Sequence, residues 1–222
     1  MTPLTSKTLA GLGSLAAVGG GSALAWQQGA FSSSPKNIRE RLVADKYEIL
    51  DQDSNKWSEI FSVYKGANNT KWRFENDELT SSPQDTEVQK LKNKCEEALK
   101  KAPSDEKSYS LASKWCVVPR RVDSFIDSTS LLNDQENGET DKPSWKKVLD
   151  KFKLTKVTES SSTKYAMSGV SLEEDSDGSK DTNNINKIKE GCRTRKGKYH
   201  YSLDFEDSLK EVKQWCTIDA SK

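Results

Sequence analysis

A Trp-Cys pair recurs once in each half of this 222-residue chain, in Lys114-Trp115-Cys116 and in Gln214-Trp215-Cys216. Each pair ends a segment with helical spacing of its apolar residues, and each follows an earlier cysteine and an earlier tryptophan at the head of another such segment. The repeated order predicts internal duplication. We therefore expect two similar multi-helix units, residues 35–119 and 120–222.

The spacing i, i+3, i+4, i+7 occurs in both halves, beginning at Trp57 and at Trp145. Such spacing places four apolar side chains on one face of a helix. Further segments with helical spacing are 38–47, 88–99, 109–116, 122–126, 185–192 and 205–216. We expect Asp53-Ser54 to cap the helix that carries Trp57, a short extended piece at Lys71–Phe74, and a polar loop from Thr158 to Asn183. The predicted fold class is all-α, with an N-terminal hydrophobic helix followed by the two units and long polar loops.

The composition is lean for a globular core, with 33% hydrophobic residues and a mean hydropathy of −0.84. Six Trp, six Tyr and six Phe argue for a folded region, because each aromatic ring buries a large area. The 35 basic and 34 acidic residues nearly cancel, which leaves no global field to attract nucleic acid. The basic run Arg193, Arg195, Lys196 and Lys198 precedes acidic residues, and we expect no nucleic-acid partner.

The N-terminal segment carries no charge from Thr8 to Ser34. Residues 8–26 are long enough to span a bilayer as a helix. Small residues recur at every fourth position, at Gly13, Ala17, Gly21 and Ala25. Such a face lets transmembrane helices pack closely. We predict that residues 1–34 are a membrane anchor or signal segment plus a linker, and that residues 8–26 contact the membrane.

Two alternatives to a retained anchor stay open, a cleaved signal peptide and a soluble flexible tail. In a signal peptide, Lys7 would be the basic region, Leu9–Val18 the apolar region and Ala23-Leu24-Ala25 the cleavage signal. Lys36, Arg39 and Arg41 follow the segment and favour a cytoplasmic location for the rest of the chain, but long domains translocate largely regardless of charge. We expect single-pass or signal-directed export, with the soluble region outside the cell.

The four cysteines are the only candidate site residues. In an exported domain, four cysteines are first read as two disulfides, and the repeat suggests the pairs Cys95–Cys116 and Cys192–Cys216. The alternative is four buried free thiols that pack beside the tryptophans. Zinc is not expected, since the chain has no C-x-x-C sequence and a single histidine.

Catalytic constellations are missing from the sequence. Nucleophile–His–acid chemistry would depend on His200 alone, which we expect to be a surface or loop-packing residue. An acidic stretch starting at Glu173 matches the first part of a calcium loop, but its last ligand position is Asn184 rather than glutamate. We predict no catalytic residues, no cofactor, no metal and no small-molecule substrate.

Three short segments follow the Ala/Gly-rich leader: Ile38-Arg39-Glu40-Arg41-Leu42, Asp53-Ser54-Asn55-Lys56-Trp57 and Lys114-Trp115-Cys116-Val117-Val118-Pro119. With the leader, they resemble the large paralogous families of uncharacterised membrane or secreted proteins in haemotropic mycoplasmas. The second half departs from the last pattern, since Trp215-Cys216 is followed by Thr217-Ile218-Asp219. The resemblance implies exposure to a host and no known activity. We expect a surface interaction or antigen-like protein that is not an enzyme. The second hypothesis is a cytoplasm-facing membrane-associated scaffold, and the third is an enzyme of unrecognised type.

Overall fold

The computed structural model describes residues 34–77, 84–159, 162–174 and 176–222. Within these ranges the chain is mainly α-helical, as the apolar spacing predicted, and the strands form one two-stranded hairpin. The helices are α1 (Ile38–Ala44), α2 (Trp57–Tyr64), α3 (Gln84–Lys100), α4 (Glu106–Trp115), α5 (Lys142–Lys153), α6 (Asp181–Lys196) and α7 (Phe205–Trp215). The described residues belong to one compact unit.

Side-chain caps account for two of the helix starts. The Asn37 side chain accepts the Glu40 N–H at 2.9 Å before α1, and the Asp105 carboxylate accepts the Ser108 N–H at 3.0 Å before α4. The predicted Asp53-Ser54 cap of α2 is wrong. Ser54 Oγ instead accepts the N–H of Lys56, which is itself the N-cap residue and has no side-chain cap.

The helix predicted at the start of the second half is replaced by two 3-10 turns, Val122–Phe125 and Ser128–Ser130. Ser124 Oγ donates to the Arg121 carbonyl at 2.7 Å, and the Asp127 carboxylate accepts the Thr129 N–H at 2.9 Å. Such local side-chain bonds compete with the helical backbone ladder and end it early.

Two further predictions, a polar loop and an extended piece, also differ from the structure. The polar stretch after α5 contains an antiparallel hairpin of β1 (Val157–Glu159) and β2 (Ser162–Lys164). The piece predicted as extended at Lys71–Phe74 is a bend at Lys71 and Trp72 followed by irregular backbone, and it forms no strand. Asn69 closes the turn that leads into this bend, because its side chain accepts the Trp72 N–H at 3.0 Å.

Buried residues form two hydrophobic clusters. In cluster 1, the rings of Tyr64 and Trp115 meet edge to face with centroids 5.2 Å apart. In cluster 2, the rings of Phe152 and Trp215 do the same at 5.1 Å. Cluster 1 is built from α1 to α4 and also takes Tyr201 from the second half of the chain, whereas cluster 2 is built from residues 122–220. The two halves therefore share part of their packing.

The predicted membrane segment at residues 8–26 lies outside the described residues. Among the helices that the structure describes, none has the length and apolar character needed to cross a bilayer.

Candidate functional site

The four cysteines belong to the two hydrophobic clusters, two to each. Cys95 on α3 is bonded to Cys116 after α4, with the sulfurs 2.07 Å apart. Cys192 on α6 is bonded to Cys216 after α7, with the sulfurs 2.04 Å apart. All four side chains are buried. This pairing is the one that the repeated Trp-Cys order suggests, and each bond joins two neighbouring helices.

A backbone frame surrounds the first disulfide. The Leu50 N–H donates to the Cys116 carbonyl at 2.9 Å. The indole N–H of Trp57 donates to the Asp51 carbonyl at 2.8 Å, which fixes the start of α2 beside the disulfide. The ammonium group of Lys92 lies 6.0 Å from the centroid of the Trp57 ring.

The second disulfide has a frame of the same kind. The Leu132 N–H donates to the Cys216 carbonyl at 3.0 Å. The indole N–H of Trp145 donates to the Asn133 carbonyl at 2.7 Å. The ammonium group of Lys189 lies 5.8 Å from the centroid of the Trp145 ring. In each cluster, therefore, a tryptophan, a disulfide and a lysine have the same spatial arrangement.

A cleft of about 260 Å³ opens beside the first disulfide. Its lining combines apolar side chains and carboxylates with one amide and one guanidinium, from Arg39, Leu50, Asp51, Gln52, Trp57, Glu96 and Leu99. Gln52 Nε2 donates to Glu96 Oε1 at 3.2 Å, and Lys100 Nζ lies 3.3 Å from Glu96 Oε2. These groups suit the binding of a polar or charged ligand by hydrogen bonds.

A smaller cleft of about 190 Å³ lies next to Trp145 in cluster 2. Asn137, Lys142, Asn186 and Lys189 line it. Lys189 Nζ is already bound by the carbonyl oxygens of Gln135 and Gly138, each at 3.1 Å. This lysine therefore holds the 135–138 loop on α6.

Lys114 is a buried cation where the two halves meet. Its ammonium group donates to the carbonyl oxygens of His200 at 3.2 Å and Ser202 at 2.9 Å. Glu206 Oε1 lies 3.6 Å from the same nitrogen, and the Trp72 ring centroid lies 4.6 Å away. Burial lowers the pKa of Lys114, and Glu206 partly opposes that effect. Lys114 thus connects α4 to the segment before α7.

His200 is buried beside Lys114, which fits the loop-packing role expected from the sequence. Its ring Nδ1 accepts the Arg120 N–H at 3.0 Å, and the backbone N–H of His200 donates to the Arg120 carbonyl at 2.8 Å. Within the described ranges, Nε2 is buried without a hydrogen-bond partner. Burial, with smaller contributions from the nearby cations Lys114 and Arg120, lowers the pKa of His200 to about 4.

The basic run that the sequence singled out is engaged in ion pairs. Arg195 pairs with Glu211, and Lys198 pairs with Asp204. Lys196 Nζ lies 2.6 Å from Asp134 Oδ2. These cations therefore tie α6 to its neighbours.

The calcium-like stretch has a packing role where the structure describes it. The Asn184 amide accepts the Glu173 N–H at 2.7 Å and donates to the Glu173 carbonyl at 3.1 Å. The Glu173 carboxylate lies 3.0 Å from Lys187 Nζ, and Asp175 lies outside the described residues. No group of three or more potential metal ligands occurs in the part of the chain that the structure describes.

The sequence did not single out Lys114 or the pair Gln52 and Glu96. The spacing of α4 does indicate that Lys114 is buried, since it lies three residues after Leu111 on the buried face of the helix.

No protein-family model, curated protein or solved structure matches this chain.

Proposed function

We propose that this protein is a membrane-anchored or exported, non-enzymatic protein that presents residues 35–222 at the cell surface for interaction with other proteins. The observation that carries the proposal is the pair of buried disulfides, Cys95–Cys116 and Cys192–Cys216. Disulfides form and persist outside the reducing cytosol. Residues 8–26 would be the membrane segment or export signal.

We also propose that residues 35–119 and 120–222 are two copies of one helical unit. Support comes from the matching frames around the disulfides and from the backbone. The Ile38 N–H donates to the Lys101 carbonyl at 3.0 Å. The Val122 N–H donates to the Lys198 carbonyl at 2.9 Å, at the same place relative to the second disulfide. Tandem units of this kind suit an interaction protein, since each offers its own loops around a fixed core.

A non-enzymatic role is favoured by what the buried ionisable groups do. Lys114 and His200 are occupied in holding α4, Arg120 and the segment before α7 together. His200 lines neither of the two clefts described above. The resemblance to families of membrane or secreted proteins in haemotropic mycoplasmas, which implies exposure to a host, favours the same role and is part of the proposal.

Protease treatment of intact cells, followed by non-reducing mass measurement, tests the proposal. We expect residues 35–222 to be digested from outside, and the undigested chain to be 4 Da lighter than the fully reduced chain, as about 1 Da is lost per thiol oxidised in two disulfides. Protection of this region in intact cells, with digestion only after lysis, would contradict surface exposure.

The second candidate is a membrane-associated scaffold that faces the cytoplasm. Lys36, Arg39 and Arg41 favour it, because basic residues flank the cytoplasmic side of membrane segments. A C-terminal alkaline phosphatase fusion separates the two candidates, since this enzyme needs an oxidising compartment. Activity of the fusion favours surface exposure, and an inactive fusion that is expressed at an equal level favours the scaffold.

A further inference from the structure

The cleft beside the first disulfide has a counterpart in cluster 2. The Leu50 and Leu132 N–H groups donate to the carbonyls of Cys116 and Cys216, so the two leucines occupy equivalent positions. Gln52 and Asp134, two residues further along, are then equivalent. Counterparts on α3 and α6 follow from the cysteines, since Glu96 and Arg193 come one residue, and Leu99 and Lys196 four residues, after Cys95 and Cys192.

In cluster 2 the chain fills this place with its own cations. The Arg193 guanidinium donates to the Asp134 carbonyl oxygen. Lys196 Nζ lies 2.6 Å from the Asp134 carboxylate, and both side chains are largely buried. Two basic side chains therefore fill the space between α6 and the segment after Leu132.

In cluster 1 the equivalent place holds the cleft of about 260 Å³, and its chemistry is reversed. Arginine is replaced by the carboxylate of Glu96, lysine by the apolar Leu99, and aspartate by the amide of Gln52. The carboxylate of Asp51 also lines the cleft. The cations that fill the place in cluster 2 have no equivalent at these positions of cluster 1.

We infer that the cleft in cluster 1 binds an arginine side chain of a partner polypeptide, in the place that Arg193 and Lys196 fill in cluster 2. Glu96 and Gln52 supply oxygen acceptors for the guanidinium donors. Leu99 and Trp57 supply an apolar wall for the methylene groups. The inference deepens the proposed interaction function and rests on the proposed correspondence of the two units.

Two cations oppose the binding of another cation here. Arg39, which is exposed on α1, lines the cleft, and Lys100 Nζ lies 3.3 Å from Glu96 Oε2. Repulsion between like charges near a protein surface is modest and is screened by salt. We expect Arg39→Gln to tighten binding about threefold at low ionic strength and to change it less at high ionic strength.

Titration of the full-length protein with N-acetyl-arginine N-methylamide tests the inference, read out by NMR shifts of the Trp57 indole. We expect a dissociation constant of about 1 mM, typical of a single side chain. The neutral citrulline analogue should bind at least about tenfold more weakly, because it lacks the charge. Equal binding of the two compounds, or no binding of either, would overturn the inference.

Two variants locate the site. Glu96→Gln should weaken binding of the arginine compound about tenfold or more, since it removes the charged acceptor. The matched control is Glu97→Gln, because Glu97 is the next residue on α3, is exposed and pairs with Lys94 at 3.8 Å. Equal loss in both variants, or unchanged affinity in both, would show that the cleft does not hold the guanidinium.

A graft of the cluster 2 side chains tests the same place from the opposite direction. The variant Gln52→Asp/Glu96→Arg/Leu99→Lys should fill the cleft and abolish binding of the arginine compound. If this variant does not fold, Glu96→Gln still decides the inference. Protection of residues 35–222 from protease in intact cells would contradict surface exposure and leave these titrations unchanged, so the two failures are distinguishable.

Discussion

Clusters 1 and 2 share the arrangement of backbone and tryptophan hydrogen bonds around the disulfide, but they differ in the hydrogen bonding of the tryptophan in each Trp-Cys pair. The Trp115 indole N–H in cluster 1 donates to the Trp72 carbonyl at 2.8 Å. The Trp215 indole N–H in cluster 2 is buried without a hydrogen-bond partner within the described residues. The difference lies in the segment that follows α2 in cluster 1 and α5 in cluster 2. In cluster 1 this segment is a turn closed by Asn69, whereas in cluster 2 it is a hairpin that begins at Val157. The disulfide and the paired rings thus tolerate different loops.

The largest expected loss of stability follows removal of a disulfide, and it should be the same in both clusters. Removing Cys95–Cys116 by double alanine substitution should lower the free energy of unfolding by about 3 kcal/mol, because a bond that closes a loop of roughly 20 residues restricts the unfolded chain. Removing Cys192–Cys216 should cost a similar amount, since the sequence separations are 21 and 24 residues. Denaturant unfolding followed by tryptophan fluorescence measures both.

Hydrogen exchange shows whether each disulfide acts on its own cluster. We expect loss of Cys95–Cys116 to speed exchange mainly in α3 and α4, and loss of Cys192–Cys216 to speed it mainly in α6 and α7. The wild-type protein treated with reductant is the control for both losses together. A cost below about 1 kcal/mol for one bond and the full cost for the other would break the equivalence of the clusters.

The next largest expected effect is a loss of stability at low pH, caused by the buried His200 where the two halves meet. The pKa of His200 is about 4 in the folded protein and near 6.5 in the unfolded chain, so the unfolded chain binds the proton first as pH falls. The contribution of the neutral His200 to the free energy of unfolding is complete above pH 6.5. It is lost progressively down to pH 4, by up to about 3 kcal/mol. Urea unfolding between pH 7 and pH 4 measures it.

His200→Asn is the matched variant for this pH dependence. Asparagine keeps an acceptor near the position of Nδ1 for the Arg120 N–H but does not titrate in this range. We expect the variant to flatten the stability curve between pH 6.5 and pH 4. A curve as steep as that of the wild type would assign the acid sensitivity to other groups.

The helices were predictable where one face alone defines them. Trp57 and Trp145 start the spacing i, i+3, i+4, i+7, and α2 and α5 begin at or close to them. The start of α6 at Asp181 was not predictable from spacing, because Asn184 on its buried face is held by tertiary bonds to the Glu173 backbone. Tertiary contacts overrode the weak helical propensity of asparagine there.

The junction and the cleft could not be predicted from local patterns. Lys114 is a charged residue whose burial depends on the carbonyl oxygens of His200 and Ser202, which lie 86 and 88 residues away in sequence. The cleft depends on which side chains fill equivalent places in two distant segments, such as Gln52 and Asp134. The order of the cysteines was visible in the sequence, but the surroundings of the disulfides were not.

A smaller effect separates the two tryptophans of the Trp-Cys pairs. Trp115→Phe should lower the free energy of unfolding by about 2 kcal/mol, because it removes the 2.8 Å bond to the Trp72 carbonyl and leaves that oxygen only the longer bond from Asn69 Nδ2 at 3.4 Å. Trp215→Phe should cost about 1 kcal/mol or less, because the indole N–H it removes has no acceptor in the described structure. Chemical denaturation of the two variants measures the difference, and a larger cost for Trp215→Phe would contradict it.

The smallest effect contrasts the starts of α4 and α7. The Asp105 carboxylate caps α4 by accepting the Ser108 N–H, and this bond lowers the pKa of Asp105. The Asp204 carboxylate precedes α7 and pairs with Lys198 rather than capping the described helix. Asp105→Ala should lower Tm by about 3 °C, and Asp204→Ala by about 1 °C or less, because a helix cap is worth more than an exposed ion pair.

Salt and pH distinguish the two contributions at these helix starts. Because the folded-state pKa of Asp105 is lowered, its stabilisation is present above the unfolded-state pKa near 3.9 and is lost as pH falls below it. The Asp204 contribution should shrink in 0.5 M salt, since exposed ion pairs are screened. Thermal unfolding at low and high salt tests this contrast. An Asp204→Ala effect that equals that of Asp105→Ala and persists in salt would mean that both helices are capped alike, which would make the two clusters more similar than their hydrogen bonds indicate.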